Sequence, residues 1–152
     1  MELDEAIYSR RSIRVYIDKE IEDKEIKAIL DAGIWAPSGL NNQPWKFKVI
    51  KDQKTKKTIA NFTKYANIIK NAPVSICVFL DKKTMYDRDK DIMAIGACIQ
   101  NMLLKAYSLG IGSCWLGEIL NKKNEVMKAL ELKSVYELMA VISLGYFKKE
   151  HP

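Results

Sequence analysis

The stretch Ala36-Pro37-Ser38-Gly39-Leu40-Asn41-Asn42-Gln43-Pro44-Trp45 decides how the rest of the chain is read. It separates a helical pattern from a strand pattern, and two prolines and a glycine confine its backbone to turns. Between the prolines stand a hydroxyl, three carboxamides and several backbone N–H groups. That set suits a flat heterocycle presenting both donors and acceptors better than a lone phosphate or a metal. Asn and Gln are also ordinary turn residues, so the loop by itself leaves both readings open.

Upstream, Arg10-Arg11-Ser12-Ile13-Arg14 places three guanidiniums within five residues. Arginine presents a planar fork of donors that matches phosphate oxygens; a solvated charge run is the plainer alternative. Ile13, Val15 and Ile17 alternate with Ser12, Arg14 and Tyr16. This alternation predicts an extended, half-buried segment with Ser12 and Arg14 on one side.

The motifs R-R-S-x-R, A-P-S-x-x-N-x-Q-P-W, a central apolar helix, G-x-G-S-C-W-x-G and a closing strand ending in G-Y follow one another along essentially the whole chain. In this order they resemble the nitroreductase family of FMN-dependent oxidoreductases, in particular its short single-domain members. The resemblance implies an α+β fold, with a central, mostly antiparallel sheet flanked by helices. It also implies an intertwined homodimer with FMN in each of two sites at the subunit interface.

By the same resemblance, Arg10, Arg11 and Ser12 hold the FMN phosphate and ribityl chain, and Arg14 lies by the N1/O2 edge. Pro37, Ser38, Gly39 and Asn41 come from the opposite subunit, and the backbone of Leu116 and Gly117 faces N5 and O4. Electrons would pass from NAD(P)H to a nitroaromatic, quinone or similar acceptor in a ping-pong cycle, with no side chain acting as nucleophile. The alternative is an FMN-binding protein of the same fold with a different flavin reaction or a storage role. Most relatives continue past the closing strand and supply a Lys or Arg to the phosphate from there; here Lys148 or Lys149 is expected to stand in.

The remaining sequence is read from its own pattern. A chain of 152 residues suits one domain, 1–152, because that length buries about 70% of its unfolded surface. The net charge of +6 raises the question of a nucleic-acid partner, but the lysines are scattered. Lys46 and Lys48, for example, alternate with Trp45, Phe47 and Val49 like the wet side of a strand, so no nucleic-acid partner is expected. The acidic Met1–Glu5 segment lacks the apolar run of a signal peptide. Cys77, Cys98 and Cys114 are odd in number and lie in apolar segments, as reduced core residues of a cytoplasmic protein do. His151 is the single histidine and stands next to last, which argues against Ser–His–Asp chemistry and the usual zinc sites.

Helices are expected over Leu3 to Ser9, around Ile26, Ile29, Leu30 and Gly33, and over Gln53 to Asn71. Trp45 to Ile50 reads as a strand, and Val74 to Leu80, apolar and β-branched, as one buried in the middle of the sheet. Asp91 to Leu109 is the longest helical signal and is apolar on more than one face. That excess points to a second subunit rather than a membrane, since Gln100, Asn101 and Lys105 interrupt the run. Gly110 is the natural left-handed cap of this helix. Asn121 or Asn124 is expected to cap a short helix, and Leu138 to Leu144 is the last strand.

Overall fold

The computed structural model describes residues 1–149, so His151 lies outside the described residues. Four strands, β1 (Trp45–Ile50), β2 (Val74–Asp81), β3 (Ile111–Leu116) and β4 (Tyr136–Tyr146), form one sheet in the order β1-β2-β4-β3. Every neighbouring pair is antiparallel. The β-branched run of β2 is buried along its whole length in the interior of the sheet, as a strand covered on both faces must be.

Side chains alternate across each strand, and that alternation builds two cores. Val74, Ile76, Val78 and Leu80 of β2 join Ala140, Ile142 and Leu144 of β4 under α2 (Asp23–Ile34) and α5 (Arg88–Ser108). Cys77, Phe79, Leu138 and Val141 face the other way, against Ile59, Ile69 and Val126 of α3 (Gln53–Ala60), α4 (Ala66–Asn71) and α6 (Lys123–Ala129). A register shift between Val78 and Phe79 leaves Met139 as an extra residue in β4, so that Met139 and its neighbour Ala140 both face the first core. All three cysteines are free and buried, and burial pushes the Cys77 and Cys98 thiols up to about 12.

Helix α1 (Leu3–Ser9) packs against α5, as does α2. The long helix is less bare than its sequence suggests. Ile95, Cys98, Ile99, Met102 and Leu103 are buried within the chain, and Met93 is the large apolar side chain left exposed on it. Further exposed apolar side chains stand on elements that pack against α5: Leu3, Ile7 and Tyr8 of α1, Ile34 and Trp35 at the end of α2, and Leu40. None of the described helices is long and apolar enough to cross a membrane.

Two local expectations need correction. Neither Asn121 nor Asn124 caps α6; a 3₁₀ turn over Glu118–Lys122 runs directly into it, with Lys122 in the capping position and no side-chain cap. Val15 is not half-buried but 82% exposed, because the extended segment touches the sheet through Ile13 and Tyr16 instead.

Candidate functional site

The arginine segment begins where α1 stops. The Arg10 N–H still bonds to the Ala6 carbonyl at 3.1 Å, but its backbone has already turned extended (φ −57°, ψ 136°). Ser12 then makes a parallel bridge to Ser113 on the outer edge of β3, with the Ile13 N–H donating to the Ser113 carbonyl at 2.9 Å. Four residues later the Ile17 N–H donates to Tyr146 O at 2.9 Å.

Glycines in the sheet make this close approach possible. A Cβ on Gly112 would lie 2.8 Å from Ile13 Cβ, and one on Gly145 would lie 2.6 Å from the Tyr16 ring. Tyr16 locks the turn by donating its hydroxyl to Ile13 O at 2.6 Å, and burial raises its pKa far above the ordinary tyrosine range. Gly112 and Gly145 thus serve the clamp. Gly110, at φ +78°, is the left-handed cap expected from the sequence.

Against the clamped segment lies a cleft of about 760 Å³. Arg11, Ser12 and Arg14 line it from one side, Lys148 and Lys149 from the chain following β4, with Tyr107 of α5 and Phe147 beside them. Among the described residues, four cations and no carboxylate face this space. Arg11 spends one nitrogen on the carbonyls of Tyr8 and Arg10, which orients its guanidinium and leaves further donors. The Nε of Arg10 is buried without a hydrogen-bond partner among the described residues, an unusual condition for a charged donor. Tyr107 and Phe147 carried no sequence signal; each reads there as one more aromatic of a helix or strand end.

The 37–44 loop sits elsewhere. Leu40, Asn41 and Gln43 all have positive φ, between 49° and 56°, which side chains other than glycine adopt at a cost. Hydrogen bonds hold this backbone: Gln43 N–H to Ser38 Oγ at 3.0 Å, and Asn41 N–H to Ser38 O at 3.1 Å. Asn42 turns inward, donating to Thr84 O at 2.9 Å and to the buried Asp91 carboxylate at 2.8 Å. Tyr86 lies on Gly39, where a Cβ would meet its hydroxyl oxygen at 2.0 Å. Pro37 and Asn41 are left exposed.

The strand order shows how far apart the two clusters are. The loop leads into Trp45, which pairs with Leu80 and, one strand on, with Glu137; Ser12 pairs with Ser113, opposite Leu144. Four strand spacings across and seven residues along put them on diagonal corners of the sheet, roughly 30 Å apart. One chain therefore does not bring Ser38, Gly39 and Asn41 to the arginine cleft. Leu116 closes β3 with its side chain in the core, and Gly117 follows it, exposed. A Cβ on Gly117 would meet nothing within 4 Å, so packing within this chain does not demand glycine there.

These observations fit a flat ligand carrying a phosphate. The cationic cleft offers a phosphate subsite, Arg10 Nε is an unused buried donor, and Gly117 leaves its backbone open to close approach. The arrangement is that of an α+β protein with a cationic cleft beside one end of its sheet and the 37–44 loop at the diagonal corner.

Comparison with known proteins agrees. The family described as the nitroreductase family matches residues 7–64 and 61–146. A protein of Archaeoglobus fulgidus with the provisional name NADH dehydrogenase/NAD(P)H nitroreductase is 42% identical over 149 residues, covering 95% of this chain and 84% of its own. A provisionally named nitroreductase from Desulfovibrio desulfuricans, solved in complex with FMN, superposes with a TM-score of 0.91 at 44% identity, over 97% of this chain and 90% of that one. A provisionally named NADH oxidase from Clostridium acetobutylicum superposes with a TM-score of 0.89 at 36% identity, over 95% and 89%. The chain belongs to the nitroreductase family.

Proposed function

We propose that this protein is an FMN-dependent oxidoreductase that takes electrons from NAD(P)H and passes them to a nitroaromatic, quinone or similar acceptor. It works as a homodimer with two shared sites. The observation that carries this reading is the cleft lined by Arg11, Arg14, Lys148 and Lys149, with no carboxylate among its described residues, in a chain of this family.

Arg10, Arg11 and Ser12 would hold the FMN phosphate and ribityl chain, with Lys148 or Lys149 completing the phosphate contacts. Arg14 would stand by the N1/O2 edge, and the backbone at Leu116 and Gly117 by N5 and O4. Pro37, Ser38, Gly39 and Asn41 of a second copy would complete the site, since their own chain holds them at the far corner of the sheet. The exposed apolar residues of α1, Ile34, Trp35 and Met93 supply the surface for that second copy.

When bound, FMN supplies two-electron redox chemistry between a reduced nicotinamide and an oxidised acceptor. The chain's own contribution is electrostatic and positional. A guanidinium at the N1/O2 edge favours negative charge there, and fixed backbone donors orient the atom exchanging hydride. No side chain need form a covalent bond. A single open site for donor and acceptor in turn gives ping-pong kinetics.

The test is direct. The purified protein should show an FMN absorption spectrum that NADH or NADPH bleaches without oxygen and a quinone restores. Added FMN should raise the melting temperature through binding to the folded state, and riboflavin, which lacks the phosphate, should raise it less. A protein that binds no flavin refutes the reading; one that stays yellow with either nicotinamide selects a different flavin reaction.

A further inference from the structure

Away from the arginine cleft, Lys82, Arg88, Lys123 and Lys128 ring a hollow of about 650 Å³ where β2 ends and β4 begins. Its floor is apolar and aromatic, made by Met127, Leu132, Tyr136 and Leu138 from the α3/α4/α6 side of the sheet. It shares no lining residue with the arginine cleft.

The one carboxylate in the lining is Glu137, whose side chain is only 11% exposed. It accepts two parallel bonds from Arg88 at 2.9 Å and a third from Lys123 at 2.7 Å. Those bonds hold its carboxyl down to about 2, so it is ionised at neutral pH with both oxygens occupied. Its effect is to fix two like charges side by side before any ligand arrives. Such preorganisation removes part of the ordering cost of binding. Arg88 is also the first residue of α5, where the helix dipole disfavours a cation, so helix stability does not explain its position.

Two cations remain uncommitted to any carboxylate. Lys82 donates to Ser134 O at 3.2 Å, and Lys128 is in no ion pair among the described residues. Four cations against one saturated carboxylate leave the rim with three net positive charges around an apolar floor.

We propose that this hollow binds a small organic phosphate, its dianion held among the four cations and its aromatic or apolar body resting on Tyr136 and Met127. Inorganic phosphate would leave the floor uncovered, and a carboxylate would answer less of the rim's charge. The inference does not rest on the flavin reading, because the hollow is built from other residues.

The test is calorimetric titration of the FMN-saturated protein with phenyl phosphate at low salt, alongside inorganic phosphate, benzoate and phenol. Phenyl phosphate should bind at least about tenfold more tightly than each of the others, the scale of one charged contact. Lys82→Gln/Lys128→Gln, two exposed substitutions that spare the Glu137 network, should weaken it at least about tenfold, and the Met127 methyl NMR signal should shift on binding in the parent only. Equal binding of inorganic phosphate, unaltered binding by the double variant, or no binding at all overturns the proposal. Flavin absorbance in the same samples reports FMN uptake separately, so failure of one claim is distinguishable from failure of the other.

Discussion

Asn42 Nδ2 stands 2.8 Å from Asp91 Oδ1, and this bond ties the 37–44 loop to the first turn of α5. Asp91 is fully buried and also accepts from the backbone of Tyr86 and Asp87 at 2.8 and 3.2 Å. One carboxylate therefore fixes both the 82–87 connection and the loop with three positive-φ residues. Asn42→Ala removes a charge-assisted bond and should cost about 1.5–3 kcal/mol of stability, measured by urea unfolding. A change below about 0.5 kcal/mol would show that the loop holds its shape without this anchor.

The same residue shows where sequence reading stops. Asn41 and Asn42 are adjacent and chemically identical, and only the three-dimensional path reveals that Asn42 turns inward while Asn41 stays on the surface. Val15 failed for a related reason. Alternation identified an extended segment, but its clamp acts through Ile13 and Tyr16 against Gly112 and Gly145, contacts more than 95 residues apart. What was legible was local: the β-branched run of β2, the cap at Gly110, and the proline that follows α2. The arginines could be named from the sequence, whereas their meeting with Lys148 and Lys149 depends on Ser12 pairing with Ser113.

Two glycines separate packing from ligand approach. Gly112→Ala would force a methyl to 2.8 Å from Ile13 and Phe147, and overpacking of this kind costs about 1–3 kcal/mol. Gly117→Ala meets nothing within 4 Å at an ordinary φ of −107°, so stability should change by less than about 0.5 kcal/mol. FMN affinity should nevertheless fall about tenfold or more, if the backbone at Gly117 lies against the ring. Thermal melts and fluorescence titration of the two variants check this, and unimpaired FMN binding by Gly117→Ala would remove that residue from the site.

Glu137 sets a pH dependence of stability. Arg88, then Lys123, bond to its carboxylate and hold it down to about 2, against an ordinary value of 4.5. A depressed folded-state pKa contributes stability that is fully present above the unfolded value and is lost as pH falls through the folded one. The loss from this group therefore falls between about 4.5 and 2. Glu137→Gln should be less stable than the parent at pH 7, and the difference should shrink over that window in chemical melts. A difference independent of pH would mean that the ion pairs contribute little.

Arg14 distinguishes a surface charge from a flavin contact. It is exposed and makes no hydrogen bond or ion pair among the described residues, so Arg14→Ala should change stability by less than about 0.5 kcal/mol. FMN binding should weaken by about 1.5–3 kcal/mol, and the flavin midpoint potential should fall, because charge on the two-electron-reduced ring loses its partner. Titration of the apoproteins and potentiometry of the holoproteins measure both, and unchanged values would take Arg14 out of the site.

The central claim is that each FMN site draws its arginines from one chain and its 37–41 loop from another. It is tested by co-expressing two differently tagged double variants, Arg11→Ala/Arg14→Ala and Ser38→Ala/Asn41→Ala, and measuring FMN in the isolated mixed dimer. If the site is shared, one of the two sites in the mixed dimer carries all four substitutions and the other carries none. The mixed species should then hold about one FMN per dimer with full affinity, while each variant alone binds weakly. If both elements served the same chain's site, every site would keep a defect, and a mixed dimer binding FMN no better than either variant alone would contradict the account.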